Sequence, residues 1–510
     1  MENQSNGEEL EMKSACKKWI ICGIFGLVLI PFASVRAQDT IQFALDLHSV
    51  VSLAIEQSSD IKYTQNQNVN YYWRFKNFKT QNRPKLVLSG TLPNFVQSNE
   101  AVTQPDGSTL FKPIYSLTTN AGLSLNQSIP FTGTYISAST SAIRVQDYNN
   151  KTINFSGSPF SFSFYQPIFA INWLKWQQKT EPLVYDEAQK NFIQRVEEIS
   201  LSTVYRFFRY LLVQTNFNLA ESNLKNSKNN LKIAQTKKDI GTISENNFAR
   251  NELAVLNAQK ALNKARMDLK NADFELKSYV GLPPDQNIEL KMPLDITLFD
   301  INPAKALEEA NANRKEGSQY ERRMIEADRN LLSAKRSTGL SATLRGTYGL
   351  SNSAETMTGI YQQPERQQTL SLQLSIPILD WGQSASAVKL AESQRELVIY
   401  DVEKDRTDFE RSVIVQVEQF SLLKDQLITT KEADKVAADG YLIALKQFQN
   451  GETTITDLNI ALSERDNAKR DYIYSLQSYW EAYYKLRILT LYDFEKNQKI
   501  GYINPLLSDK

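Results

Sequence analysis

Between Leu370 and Ile376 apolar and polar positions alternate strictly. Leu370, Leu372, Leu374 and Ile376 fall on one side, Ser371, Gln373 and Ser375 on the other. A period of two marks a strand with one apolar face. At Pro377 the period changes, and from Ala385 onward the chain reads as a polar, alanine-containing helix. The same design stands at Phe160–Gln189. There Phe160, Phe162 and Phe164 alternate with Ser161, Ser163 and Tyr165, and Pro167 precedes Pro377 by 210 residues. A two-faced strand running directly into a long helix suits a strand that leaves a membrane wall and continues in water.

The helical pattern dominates elsewhere. Asp39–Lys79 and Ala304–Lys335 each read as one helix. From Glu187 to Val280, Leu201, Val204, Phe208, Leu211 and Thr215 step by three and four, as do Leu262, Ala265, Leu269, Ala272, Leu276 and Val280. Such steps form the seam of a coiled coil. The two arms meet at Ile240-Gly241-Thr242. An arm of ~50 residues spans ~75 Å, which predicts a projecting hairpin. A second hairpin follows at Ser384–Gln449 and Thr453–Leu491. Val413, Val417, Phe420, Leu423 and Leu427 line one arm; Tyr472, Leu476, Tyr479, Tyr483 and Leu486 line the other, and Asn450-Gly451-Glu452 forms the turn. Four strands are expected at about 85–95, 155–166, 342–350 and 369–376. Weaker alternation occupies 120–129 and 133–145, and turn chemistry marks 99–112 as a loop.

Gly451 also follows Gly241 by 210 residues, so the interval from strand proline to turn glycine is 74 residues in both halves. Two such coincidences indicate internal duplication. The expected organisation is a signal peptide at 1–37, a first repeat at 38–300, a second repeat at 301–495 and a tail at 496–510. The first repeat carries an inserted hairpin at 97–142, which either adds strands to the barrel or folds as an external or interfacial loop, the second being favoured, and a helical hairpin at 170–280.

The 510 residues carry 58 basic and 57 acidic side chains, a net charge of +1, with no basic stripe for nucleic acid. No apolar run after residue 32 is long enough for a spanning helix, so a membrane crossing must use strands. Four strands cannot close a barrel, and an open edge is not tolerated in lipid; a spanning chain must therefore oligomerise. Lys17 and Lys18 before the apolar run Trp19–Phe32, with Val35-Arg36-Ala37 after it, read as an export signal cleaved after Ala37, and Met12 offers a second start. Both cysteines, Cys16 and Cys22, lie inside it. Beyond it no thiol, no phosphate loop and one histidine, His48, remain, so neither an enzyme, a cofactor nor a metal site is expected. Tyr165, Trp173 and Trp381, near the strand-to-helix junctions at Pro167 and Pro377, suit an interfacial aromatic belt.

On Gln166-Pro167-Ile168-Phe169, on Ile376-Pro377-Ile378-Leu379-Asp380-Trp381-Gly382, and on the turn motifs Ile240-Gly241-Thr242 and Asn450-Gly451-Glu452-Thr453-Thr454-Ile455-Thr456-Asp457-Leu458, the chain resembles the outer membrane efflux protein family, the TolC-like outer membrane factors. The resemblance implies a membrane α+β fold. A homotrimer would share an outer-membrane β-barrel, with about four strands per chain, continued by a long periplasmic α-helical coiled-coil barrel. It implies a passive exit duct of a tripartite efflux or type I secretion system. Outer-membrane lipid would surround the barrel, and a periplasmic adaptor and inner-membrane transporter would dock at the tips around Ile240, Gly241, Thr242, Asn450, Gly451 and Glu452. It assigns Asp457 to the pore constriction. Asn247, six residues after Gly241, departs from that aspartate pattern. The alternative is a trimeric coiled-coil structural or adhesin protein on a small barrel.

Overall fold

The computed structural model describes residues 43–293, 296–450 and 452–508. The chain divides into two units, 1–43 and 44–510, and the second holds the sheet and all the long helices. The expected signal peptide, 1–37, and Gly451 lie outside the described residues.

The second unit opens with α1 (Leu47–Gln57) and α2 (Ser59–Gln81). The spacing predicts one continuous helix here; Ser58 divides it. Its backbone N–H closes α1 on the Ala54 carbonyl at 3.2 Å, and its hydroxyl accepts from the Ile61 N–H, also at 3.2 Å. A serine that satisfies the end of one helix and the start of the next turns the chain at little cost. Four strands follow: β1 (Lys85–Thr103), β2 (Thr109–Ile129), β3 (Thr134–Asp147) and β4 (Thr152–Ile168). The chain then leaves the sheet into α3 (Trp173–Asp239) and α4 (Glu245–Val280).

After a connection come α5 (Pro303–Asn313) and α6 (Lys315–Ser337), separated at Arg314 where the pattern predicts a single helix. Arg314 ends α5 through its N–H and sends its guanidinium to the Ile488 carbonyl at 2.5 Å and to Glu316, so a tertiary contact fixes the break. Strands β5 (Ser341–Ala354) and β6 (Glu365–Ser375) complete the sheet, and α7 (Gln383–Asn450) and α8 (Ile455–Thr490) form the second hairpin.

The long helices repeat at fixed spacing. Trp173 and Gln383 start α3 and α7, and Glu245 and Ile455 start α4 and α8, each pair 210 residues apart. Helices α4 and α8 have 36 residues each, while α3 and α7 have 67 and 68. At 1.5 Å per residue the longer ones run about 100 Å, beyond the expected arm. Their extra length begins at the sheet, where it packs on α2 and α6. Phe75 stacks on Tyr185 at 4.6 Å, and Arg322 pairs with Glu187 at 2.6 Å, as Arg323 does with Asp405.

The predicted seams are the buried faces. Val204, Phe208, Leu211, Leu262, Ala265, Ala272, Leu276 and Val280 are buried in the first hairpin; Val413, Val417, Phe420 and Leu427 face Tyr472, Leu476, Tyr479, Tyr483 and Leu486 in the second. Near the top of the hairpins the core turns aromatic: Phe299, Phe420, Tyr479, Trp480 and Tyr483 meet with centroids 5.1–6.3 Å apart. Beside them Arg487 grips Glu197, which is 0% exposed, at 2.7 and 2.8 Å, and Asp493 at 2.8 Å. Tyr502 and Tyr483 donate to the same two carboxylates. This network ties α3, α8 and the C-terminal segment.

The sheet has six strands in chain order, all antiparallel. Residues 97–142, favoured by the sequence as an external or interfacial loop, are mostly strand and lie within the sheet. Strand β1 pairs with β2 from Lys85↔Asn126 to Thr103↔Thr109, and β2 pairs with β3 down to Ile129↔Thr134. The expected loop 99–112 is a short turn flanked by strand, closed by Gly107 at φ +82° and by Asp106 accepting from the Ser108 N–H. Polar residues such as Asn99, Glu100 and Lys112 hid the continuing pairing, because this end of the hairpin is solvated on both faces.

Candidate functional site

Residues directly opposite in an antiparallel ladder share a face, so the registers trace each face across the sheet. Leu86, Leu125, Ala138, Phe162 and Tyr348 form one row, and Ile136, Phe164, Gly346 and Leu370 the next on the same side. Phe164 lies over Gly346, where a Cβ would come within 2.2 Å of its ring. The opposite side reads Asn126, Ser137, Ser163, Thr347 and Thr369, beside Ser124, Ser139, Ser161, Gly349 and Gln367. One face is therefore mostly hydrocarbon, its first row ending at Gln368 on β6, and the other mostly hydroxyl and amide, with Val87 opposite Ser124. The apolar face is uncovered: Leu88 is 77% exposed and Leu370 74%. A patch of this size on a soluble chain has to be covered by something. Of the four prolines inside strands, Pro93 and Pro159 sit at register irregularities, between Thr91 and Asn94 and between Gly157 and Phe160, where a missing N–H is tolerated, while Pro113 and Pro167 keep regular register.

Pro167 is the last residue but one of β4, and Pro377 follows β6. At the first junction Asn172 caps α3 through the Lys175 N–H and donates to the Pro130 carbonyl at 2.7 Å, so it holds the β2–β3 turn. At the second, Asp380 accepts from the Ser384 and Gly382 N–H groups and starts α7. Sequence reading missed Asp380 and Asn172 as caps, although a short polar side chain just before a helix is a legible signal. Trp381 is 91% exposed and Trp173 about half exposed, with the Arg329 guanidinium 5.4 Å from the Trp173 ring. Tyr165 does not share the apolar face. It lies on the serine side, with Arg345 5.1 Å from its ring.

The two turns close alike. The Thr242 N–H bonds the Lys237 carbonyl at 2.8 Å, and the Glu452 N–H bonds the Gln447 carbonyl at 2.9 Å. Gly241 has φ +73° with open space around its Cα, so glycine serves the backbone there. Ile240 is exposed at the first turn, and Asn450 donates to Glu452 at the second. The turns lie near each other, with the Lys237 ammonium 5.9 Å from the Phe448 ring. A groove of about 330 Å³ runs beside the second turn, lined by Asn230, Arg250, Asn251, Ile455, Asn459 and Ile460. Further up, Asn223 donates to Asp466 and Asn226 to Tyr441, joining the hairpins. No sequence pattern announces these links, because each joins residues more than 200 positions apart.

Asp457 has a local task. Thr454 caps α8 by accepting from the Asp457 N–H, and Asp457 accepts in return from the Thr454 N–H, a reciprocal box. Hydrogen bonds from Thr454 and then Thr453 hold its exposed carboxyl below the usual carboxylate range. The equivalent first turn has Ser244 accepting from the Asn247 N–H. Of Ser244 and Thr454, Thr454 alone completes the box. Among the described residues, no helix is long and apolar enough to cross a membrane, and no cluster of His, Cys, Asp and Glu is placed to hold a metal.

No curated protein matches the sequence. Among solved structures, a membrane protein from Pseudomonas aeruginosa is 13% identical, with 95% of this chain and 98% of that chain covered and a TM-score of 0.63. The CmeC outer membrane channel of Campylobacter jejuni is 13% identical over 90% and 87%, with a TM-score of 0.61. The MtrE outer membrane channel of Neisseria gonorrhoeae, in its open state, is 13% identical over 87% and 88%, with a TM-score of 0.59. The family model named outer membrane efflux protein matches residues 340–490. The chain thus has, over most of its length, the fold of outer membrane channels, and its residues 340–490 match the sequence pattern of the outer membrane efflux protein family.

Proposed function

We propose that this protein is the outer-membrane exit duct of a tripartite efflux or type I secretion system. It conducts substrate passively, without chemistry of its own. The observation that carries the reading is the two-faced sheet. An uncovered hydrocarbon face meets lipid, a serine- and asparagine-rich face meets water, and long helical hairpins continue from its base. A lumen-facing polar side alternating with a lipid-facing apolar side is what a membrane barrel requires.

Three copies would share the barrel in the outer membrane, with the hairpins extending into the periplasm. Pro167 and Pro377 mark where strand gives way to helix, and the exposed Trp173 and Trp381 suit the headgroup level. The turns at Ile240-Gly241-Thr242 and Asn450-Gly451-Glu452 would receive a periplasmic adaptor and, through it, an inner-membrane transporter that supplies the energy. Exposed Ile240 and the neighbouring groove support docking at this end. Three Asp457 carboxylates at a constriction would favour cations.

Planar-bilayer conductance of the purified oligomer, wild type against Asp457→Ala, tests the reading. Small cation-selective steps that enlarge or lose selectivity in the variant are expected. Unchanged steps would move the constriction away from Asp457 and keep the duct. A folded trimer that never conducts, even with the turns loosened, would sink the duct in favour of a structural or adhesive spacer.

A further inference from the structure

The large sheet of each chain has six strands, not four, and among the described residues the two at the ends of its order, β1 and β6, have one unpaired side. We infer that all six enter the barrel wall, and that it closes by pairing the β6 edge of one copy with the β1 edge of the next. The inference rests on the exit-duct reading for the membrane and for the number of copies. Three copies of six strands make eighteen. Barrel diameter grows roughly linearly with strand number, so the opening is about 1.5 times as wide as twelve strands allow.

The β2–β3 hairpin cannot be set aside as a loop. It lies between β1 and β4, and β1 pairs with β2 along nearly its whole length, with no pairing to β4. Removing the hairpin from the wall would strip β1 of its only ladder. The edges are also compatible. In an antiparallel sheet of even strand number, the first and last strands run in opposite directions. A neighbouring copy related by rotation therefore presents an antiparallel partner. Leu86 and Leu88 on β1 share the apolar face with Leu370, Leu372 and Leu374 on β6, so closing the ring continues that face without a break. Unpaired N–H and C=O groups are not tolerated in hydrocarbon, which demands a strand on each edge. Pro93, the residue in β1 least suited to a central strand, already sits in a register irregularity. A head-to-tail contact of this kind closes into a ring only when every copy offers both edges.

Cysteine cross-linking in the full-length oligomer tests the inference, since residues 43–508 contain no cysteine. Leu88→Cys is combined in turn with Leu370→Cys, Leu372→Cys, Leu374→Cys and Ile376→Cys, and oxidised in outer-membrane vesicles. Trimeric mass is checked on the unoxidised sample. The expected result is an intermolecular ladder of dimer and trimer from at least one pair, absent from each single-cysteine chain and from Leu123→Cys combined with Leu370→Cys. A trimer that gives no ladder from any of the four pairs overturns the eighteen-strand wall and leaves the duct standing. So does an internal cross-link between Leu88→Cys and Phe160→Cys, which would place β1 directly beside β4. A chain that stays monomeric in vesicles overturns both.

Discussion

The sheet and the top of the helical hairpins are built from the same kinds of residue with opposite arrangements. In the helical region Phe420, Tyr479, Tyr483 and Leu486 are buried, and the charged Glu197 and Asp493 are buried with them, both paired with the half-buried Arg487. In the sheet Leu88, Phe162 and Leu370 are exposed and the serines line the other side. The first region is organised against water from within. The second buries little in a single chain beyond Ile360 and Ala342, because a sheet of one layer has nothing to pack its faces against. The difference is one of cover: the helices cover their own apolar seam, whereas the wall leaves its apolar side uncovered within the chain.

The comparison breaks most visibly at Arg487. Arg487→Ala leaves Glu197 buried without its partner, and breaking such a pair costs about 3–5 kcal/mol. Thermal or denaturant unfolding of the helical signal should show it. Acid sharpens the test. Burial alone would raise the Asp493 carboxyl, but the Tyr483 hydroxyl, the Lys496 N–H and Arg487 hold it below its usual value. Its stabilisation is complete above the unfolded carboxylate value near 4 and is lost as pH falls through the lower folded value. The variant should therefore unfold at a higher pH than wild type, and an unchanged acid midpoint would show that Arg487 is not what holds the carboxylate.

Next comes the sheet. Phe162→Arg places a cation on the apolar face, where a mid-bilayer charge costs about 2–4 kcal/mol. Ser163→Arg, one residue on, places it on the polar face. Folding into lipid vesicles should suffer in the first and change little in the second; equal losses would contradict the assignment of the two faces. The smallest effect is at the first turn. Gly241→Ala meets no neighbour, so its penalty is the left-handed backbone alone, about 1–2 kcal/mol. Faster amide exchange confined to residues near 237–245, with the seam unaffected, is the expected reading, and no change would mean the turn relaxes freely.

The legible part of this molecule is what depends on local spacing. Period-two alternation found the strands around Phe162 and Leu372, and three- and four-residue steps found the seams that bury Phe208, Leu276, Phe420 and Leu476. The 210-residue offset carried through to the helix starts. Short-range caps were available but went unread at Ser58, Asn172 and Asp380, since a single polar residue inside a helical pattern is also an ordinary surface position. For Asp457 the sequence suggested a lumenal carboxylate; the fold adds a task within its own turn, as the partner of Thr454.

The sequence by itself determined the two-faced strands, the coiled-coil seams, the turn glycines and the duplication, because each is written as a repeat within one element or between two halves of equal length. Tertiary structure alone decided the rest. Hydrogen-bond pairing, which no local pattern encodes at the polar end of β1 and β2, drew the inserted hairpin into the sheet and raised four strands to six. Long-range packing brought Arg487 onto Glu197 across 290 positions and fixed the helix break at Arg314. Burial and edge pairing are properties of surfaces that meet in space, and the chain records them nowhere along its length.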